Sequence, residues 1–199
     1  MCWSIKGSTR GRVLIRFGTY NICNIRNGGL ESALRGMYQA NMDLGIFQET
    51  KITNGVYTHV SAGYSVITMD ASIRHCGGVT VFYQPLSRFA VEAVHQFGPN
   101  VVGLHLATGE RRWYIVGCYL APDNTCMIES VVVALRERPR GSELLVAGDL
   151  NVKLLEPEGD WRGEEIAAAL TTEGLEDMLS HSLLLRSSWF QDRRTRSMV

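Results

Sequence analysis

At 199 residues the chain is long enough to bury a sizeable core as one domain, and 45% hydrophobic with 20% charged residues is ordinary for a globular protein, not a disordered one. Twenty Lys and Arg balance twenty Asp and Glu, so overall charge gives no support to a nucleic-acid partner and only its distribution can. No uncharged apolar run is long enough to span a bilayer, and the start Met1-Cys2-Trp3-Ser4-Ile5-Lys6 lacks the apolar stretch of a secretory signal, so an intracellular protein is expected.

Up to Arg26 the chain carries five basic residues (Lys6, Arg10, Arg12, Arg16, Arg26) and no acid, and residues 1–12 read as a basic arm ahead of a domain over 13–199. Val13 to Asn21 reads as a strand. Gly28-Gly29 breaks the chain, and Leu30 to Asn41 reads as a helix with Leu30, Leu34 and Met37 along one side. Leu44 to Gln48 is a second buried strand. Shorter strands are expected at Tyr64 to Met69, Val79 to Tyr83, Phe89 to Phe97 and Val101 to Ala107. Thr108-Gly109-Glu110 is a turn, followed by a long apolar strand from Arg112 to Leu120. Thr125 to Arg138 reads as a helix with Met127, Val131, Ala134 and Leu135 facing a sheet. Pro139-Arg140-Gly141 ends it, strand Leu144 to Gly148 follows, and Glu164 to Leu170 is an alanine-rich helix. Strands outnumber helices, which predicts a layered α/β sandwich with helices packed outside.

Eight acids and a single base, Arg162, lie between Glu156 and Asp177, whereas the tail after Trp189 adds Arg193, Arg194 and Arg196 against Asp192. A basic face could neutralise phosphates while the acidic stretch turns away, although charge runs are equally the mark of plain solvated surface. The five cysteines (2, 23, 76, 118 and 126) are odd in number and form no Cys-x-x-Cys pair, and the five histidines are scattered. A disulfide framework and a structural zinc site are both disfavoured.

Three apolar strands end in polar residues that make a poor core: Phe17-Gly18-Thr19-Tyr20-Asn21, Gln48-Glu49-Thr50 and Gly148-Asp149-Leu150-Asn151. A carboxylate such as Glu49 at the end of a buried strand is costly unless it is paired or holds a metal. Open α/β sheets bind ligands outside the carboxyl ends of their strands, so the three endings read as one site. Bland alternatives stand beside this reading. Asn21 could cap a turn, Glu49 could pair locally with Lys51, and Asp149 with Asn151 could form an Asx turn. Tyr119 could simply be core, and Gly77-Gly78 reads as a structural turn.

With Thr19-Tyr20-Asn21, Gln48-Glu49-Thr50-Lys51, Gly77-Gly78-Val79, Tyr119-Leu120-Ala121-Pro122 and Gly148-Asp149-Leu150-Asn151 in that order, the sequence resembles the endonuclease/exonuclease/phosphatase superfamily. The linking segments most resemble the endonuclease domain of a non-long-terminal-repeat retrotransposon. The resemblance implies a deoxyribonuclease I-like sandwich and a Mg2+-dependent DNA endonuclease, with Mn2+ as the alternative ion. It implies Glu49 as metal ligand with Asn21 and Asp149 beside it, and Asp149 as the group that takes or orients the proton of the attacking water. Asn151 would hold the phosphate or a metal-bound water, and Tyr119 would donate its hydroxyl toward a phosphate oxygen. Lys51 and Arg74 are candidate phosphate contacts, although plain surface solvation is the more ordinary reading of both. DNA is the implied substrate, a reverse transcriptase domain the implied neighbour, and the nucleus the implied location if the target is genomic.

The sequence departs from the family pattern in three places. The late-strand Asp and the terminal Ser-Asp-His motif do not appear, Ser180-His181 lacking the intervening acid, and Cys23 stands where an acid often follows the first Asn. The expectation is therefore a domain incomplete at its carboxyl end, with missing strands and weak or absent activity. Two alternatives remain: a phosphoesterase for inositol phosphates or lipids, and a catalytically dead nucleic-acid-binding remnant.

Overall fold

A computed structural model describes residues 2–6, 14–23, 28–53, 56–69, 71, 77–85, 88–122, 127–152 and 160–173. Ten strands and three helices form among them, and the strands divide into two sheets. The first sheet holds β1 (Cys2–Lys6), β2 (Leu14–Asn21), β3 (Leu44–Gln48), β4 (Tyr57–Ser61), β5 (Tyr64–Thr68) and β6 (Val79–Tyr83), in the order β1-β2-β3-β6-β5-β4. The second holds β7 (Ala90–Gly98), β8 (Val101–Thr108), β9 (Arg111–Tyr119) and β10 (Glu143–Asp149), in the order β10-β9-β8-β7.

Alternation along the strands sets the layers. In β3 every residue is buried, because both faces of the strand are covered. Leu44 and Ile46 join Ile15, Phe17, Val79 and Val81 of the first sheet, and Val102, Leu104, Leu106 and Ile115 of the second, in the larger core. Phe47 instead joins Phe82, Tyr64 and Val66 beneath helix α1 (Gly29–Gln39), whose Leu34 is fully buried and whose Leu30 and Met37 pack beside it. Phe47 stacks on Phe82 with ring centroids 4.6 Å apart, and the Tyr64 hydroxyl donates to the Met42 carbonyl at 2.7 Å. Gly117 of β9 lies so close to Ile46 of β3 that a Cβ there would collide with its side chain, which fixes the second sheet face to face on the first.

Helix α2 (Met127–Arg136) packs on β7, β8 and β9 and against α3 (Trp161–Thr172). Val131, Ala134 and Leu135 are buried as their spacing predicts, while the side chain of Met127 lies outside the described residues. The Tyr114 hydroxyl of β9 donates to the Ala134 carbonyl at 3.0 Å, tying helix to sheet. Asp160 caps α3 by accepting from the Gly163 N–H, so the helix begins three residues before the expected Glu164. The layer order is helix, sheet, sheet, helices, an α/β sandwich of the expected class.

Two strands lie outside the sequence reading. Cys2–Lys6, within the stretch read as a basic arm, pairs antiparallel with β2. Tyr57–Ser61, too polar to signal a strand, pairs with β5 as the far edge of the first sheet. Both are edge strands, where pairing on one side suffices and apolar patterning is weakest.

Candidate active site

The topology brings four strand ends together. Strands β2 and β3 are parallel, with Asn21 opposite Gln48, and β9 and β10 are parallel, with Tyr119 opposite Asp149. Residues 21, 49, 119 and 149 therefore emerge from carboxyl ends at the same edge of the sandwich. Gln48 turns inward, 1% exposed, and donates to the Thr19 hydroxyl at 2.6 Å, which fixes the strand end from which Glu49 departs.

One amide joins the two acids. Nδ2 of Asn21 donates to Glu49 Oε1 at 2.9 Å and to Asp149 Oδ2 at 2.9 Å. Its Oδ1 accepts from the Cys23 backbone N–H at 3.0 Å and from Cys23 Sγ at 3.4 Å. An oxygen facing a backbone donor leaves only the NH2 group to face the carboxylates, so the amide has one consistent orientation. Cys23, which stands where an acid often follows the first Asn of the family pattern, thus orients the asparagine. Asn21 does close a local turn, as its bland reading proposed, but with its oxygen only; its nitrogen serves the site.

Burial by itself would raise the Glu49 pKa, yet hydrogen bonds from Asn21 and Tyr119, together with the Lys51 ammonium, more than offset it and hold the carboxyl below its usual value of 4.5. Lys51 Nζ stands 3.4 Å from Glu49 Oε2, with side chains 24% and 19% exposed. The local ion pair of the bland reading is therefore present as well, with the same carboxylate also engaged by Asn21 and Tyr119. Tyr119 is 3% exposed, packed in the core and hydrogen-bonded to Glu49 at once, so neither of its two readings stands alone.

Backbone strain gathers here. Cys23, Glu49, Lys51 and Asn151 hold φ of 56°, 54°, 57° and 47°, the left-handed region that non-glycine residues occupy only where their surroundings enforce it. At Gly148 (φ 152°) a Cβ would collide with the Cys118 carbonyl of the neighbouring strand, which explains the glycine of Gly148-Asp149-Leu150-Asn151. Past that glycine Asp149 turns its carboxylate toward Asn21. Asn151 donates its backbone N–H to Asp149 Oδ1 at 3.3 Å and its Nδ2 to the Leu120 carbonyl at 3.0 Å. The Asx turn is real, and the Asn151 side chain ties the loop after β10 to the loop after β9. Arg74 and Ser180-His181 lie outside the described residues.

Two supporting residues escaped the sequence reading. Arg162, 9% exposed, donates Nη1 to the Pro122 carbonyl at 2.5 Å and Nη2 to the Ala121 carbonyl at 3.0 Å, clamping the segment that follows Tyr119. Its only sequence signal was a single base among eight acids. Asn100, 2% exposed, accepts the Gly78 N–H at 2.6 Å, and in a Pro-Asn turn it gave no signal at all.

Solved structures share this fold. The chain superposes on the endonuclease domain of TRAS1, a telomere-specific non-LTR retrotransposon, with TM-score 0.58 and 20% identity, covering 81% of this chain and 72% of that one. It matches an AP endonuclease from Archaeoglobus fulgidus with TM-score 0.65 and 17% identity, covering 92% and 80%. An endonuclease/exonuclease/phosphatase family protein from Bacteroides thetaiotaomicron matches with TM-score 0.55 and 13% identity, covering 77% and 66%. The chain has the endonuclease/exonuclease/phosphatase fold. No protein-family model and no curated protein matches it by sequence, so the likeness shown is one of fold. All five motifs meet at one edge of the sandwich: the parallel pairs bring Asn21, Glu49, Tyr119 and Asp149 there, and Gly77 and Gly78 join them by accepting the Lys51 and Thr50 N–H groups.

Proposed function

We propose that the chain is a Mg2+-dependent phosphodiester hydrolase that cuts DNA, an endonuclease of retrotransposon type. The observation that carries this reading is the Asn21 amide shared between Glu49 and Asp149. Two carboxylates drawn to one donor at the mouth of a sandwich form a hard-oxygen cluster. The fold's likeness to structures named as a retrotransposon endonuclease and an AP endonuclease supports DNA as the substrate.

The donor set suits a small hard cation. Glu49 is held ionised at a strand end with Asp149 beside it, the two carboxylates being the oxygen donors and the Asn21 NH2 group the tie between them, and Mg2+ takes one or two carboxylates while keeping several waters. Mn2+ has the same ligand preference. When bound, the ion supplies charge neutralisation at a non-bridging phosphate oxygen. The residues supply the rest. Asp149 receives the proton of the attacking water, with Oδ2 steered by Asn21 and Oδ1 by the Asn151 N–H. Tyr119 holds Glu49 through its hydroxyl, and Lys51 adds a cation beside the phosphate position. This reading implies a reverse transcriptase domain as neighbour and genomic DNA in the nucleus as target.

The deciding experiment is nicking of supercoiled plasmid with Mg2+, beside Glu49→Ala and a chelator control, on protein shown to be folded by circular dichroism. Weak Mg2+-dependent nicking that both controls abolish is the expected result, because the sequence carries no Ser-Asp-His motif to add a phosphate contact. Nicking by folded wild-type protein that survives Glu49→Ala would overturn the assignment, as would no nicking at all.

A further inference from the structure

Strands β7 and β8 form a hairpin whose tip is Pro99-Asn100, with Gly98 paired to Val101. Hairpin tips are ordinarily solvated, yet Asn100 is 2% exposed, wedged between the two sheets at the edge where the site lies. Its Oδ1 accepts the Gly78 N–H at 2.6 Å, and its carbonyl accepts the Tyr119 N–H at 2.9 Å. Gly77, at φ 86°, leaves the space that the amide fills, since a Cβ there would collide with Asn100 Oδ1 and come within 2.8 Å of its Nδ2. The glycine pair passes the contact on: the Gly77 carbonyl accepts the Lys51 N–H at 2.9 Å and the Gly78 carbonyl accepts the Thr50 N–H at 3.3 Å. Those are the two residues after Glu49, and with Glu49 and Lys51 both in the left-handed region, the turn holds its shape only while these backbone bonds do.

We propose that Asn100 is a positioning residue that sets Glu49 against Tyr119, by tying the Glu49 turn of one sheet and the end of β9 in the other to a single buried side chain. Its oxygen fixes the glycine pair, the pair fixes the Glu49-Thr50-Lys51 turn, and its own backbone fixes Tyr119. The hydroxyl-carboxylate contact between Tyr119 and Glu49 bridges the two sheets, so it depends on both attachments. The kinetic consequence of this role rests on the metal-dependent reading above; the structural role does not.

The test compares Asn100→Ala with Asn100→Asp, which keeps an acceptor for Gly78, and with Val102→Ala, which truncates a buried side chain on the same hairpin without touching the glycine pair. Asn100→Ser, too short to reach Gly78, replaces the alanine variant if that fails to fold. Amide hydrogen exchange of Thr50, Lys51 and Gly78 is measured relative to the slowest-exchanging core amides. Asn100→Ala is expected to speed exchange at those three amides at least about 10-fold, the cost of one buried donor left without its acceptor. Asn100→Asp should restore protection, and Val102→Ala should leave it in step with global stability. Unchanged relative protection in Asn100→Ala, or the same selective loss in Val102→Ala, overturns the proposal. In plasmid nicking, Asn100→Ala should raise the Mg2+ concentration for half-maximal rate about 10-fold as well as lower kcat, with Asn100→Asp near wild type. A lowered kcat at unchanged Mg2+ dependence counts against the positioning role. A folded wild-type chain that never nicks sinks the functional reading instead, and the exchange data still decide the role of Asn100.

Discussion

Replacing Asn21 with alanine removes the donor that lets two carboxylates stand together. Glu49 Oε1 and Asp149 Oδ2 each lie 2.9 Å from the same nitrogen, so they are no more than about 6 Å apart. At that separation, with an effective dielectric of about 20, their repulsion is about 3 kcal/mol, which the amide offsets in the folded protein. Hydrogen bonds to charged acceptors contribute about 1.5–3 kcal/mol each, but the two share one group and water reaches a part-buried site. The expected loss for Asn21→Ala is therefore about 2–4 kcal/mol at pH 7. It should depend on pH in a definite direction. A carboxyl whose folded pKa is held below its ordinary 4.5 stabilises folding fully above that value and progressively less as pH falls through the folded pKa. Without Asn21, burial meets less opposition and the Glu49 carboxyl protonates at higher pH. The stability difference between wild type and variant should thus be largest near neutrality and shrink as the medium is acidified toward about pH 3. Urea unfolding of both proteins across that range measures it. A difference below about 0.5 kcal/mol at neutral pH, or one that is flat with pH, would refute the electrostatic account of the cluster.

Tyr119→Phe deletes the hydroxyl on Glu49 and keeps the ring in the core, so nicking should fall about 10-fold or more while stability changes by less than about 1.5 kcal/mol; unchanged nicking would make Tyr119 a packing residue only. Gly45→Ala places a Cβ into the Gly18 carbonyl between β2 and β3 and within 2.5 Å of the Phe82 ring, and should cost about 3 kcal/mol or more, read as a drop in Tm. A variant that melts with wild type would contradict the close approach of those strands. Cys118 is buried, and burial followed by the nearby Asp149 charge pushes its thiol up to about 12, so it should resist iodoacetamide at neutral pH while exposed Cys23 reacts. Peptide mapping that finds Cys118 modified in folded protein would argue against its place in the sheet.

Much of the site was legible before any coordinates. Asn21, Glu49 and Asp149 could be singled out because each interrupts or ends an apolar strand with a group that costs too much to bury alone, and their order along the chain matched a family pattern. The central strands and the three helices were legible because their apolar positions repeat with the period of the element. The edge strands Cys2–Lys6 and Tyr57–Ser61 were not, since an edge strand is defined by its partner more than by its own pattern. Asn100 and Arg162 were not either. An asparagine in a turn and an arginine among acids are ordinary surface residues until the fold buries them.

What the sequence determined by itself was the chemistry available: two carboxylates, an amide and a tyrosine at the ends of buried strands. Only the tertiary structure decided how that chemistry is joined. It makes Cys23 the partner that turns the Asn21 amide, Asn151 a tie between loops, and Asn100 the link between sheets. The physical reason is reach. Periodicity reports burial within one element, whereas the bond from Asn21 to Asp149 spans 128 positions and exists only because two sheets stack with their strand ends at one edge.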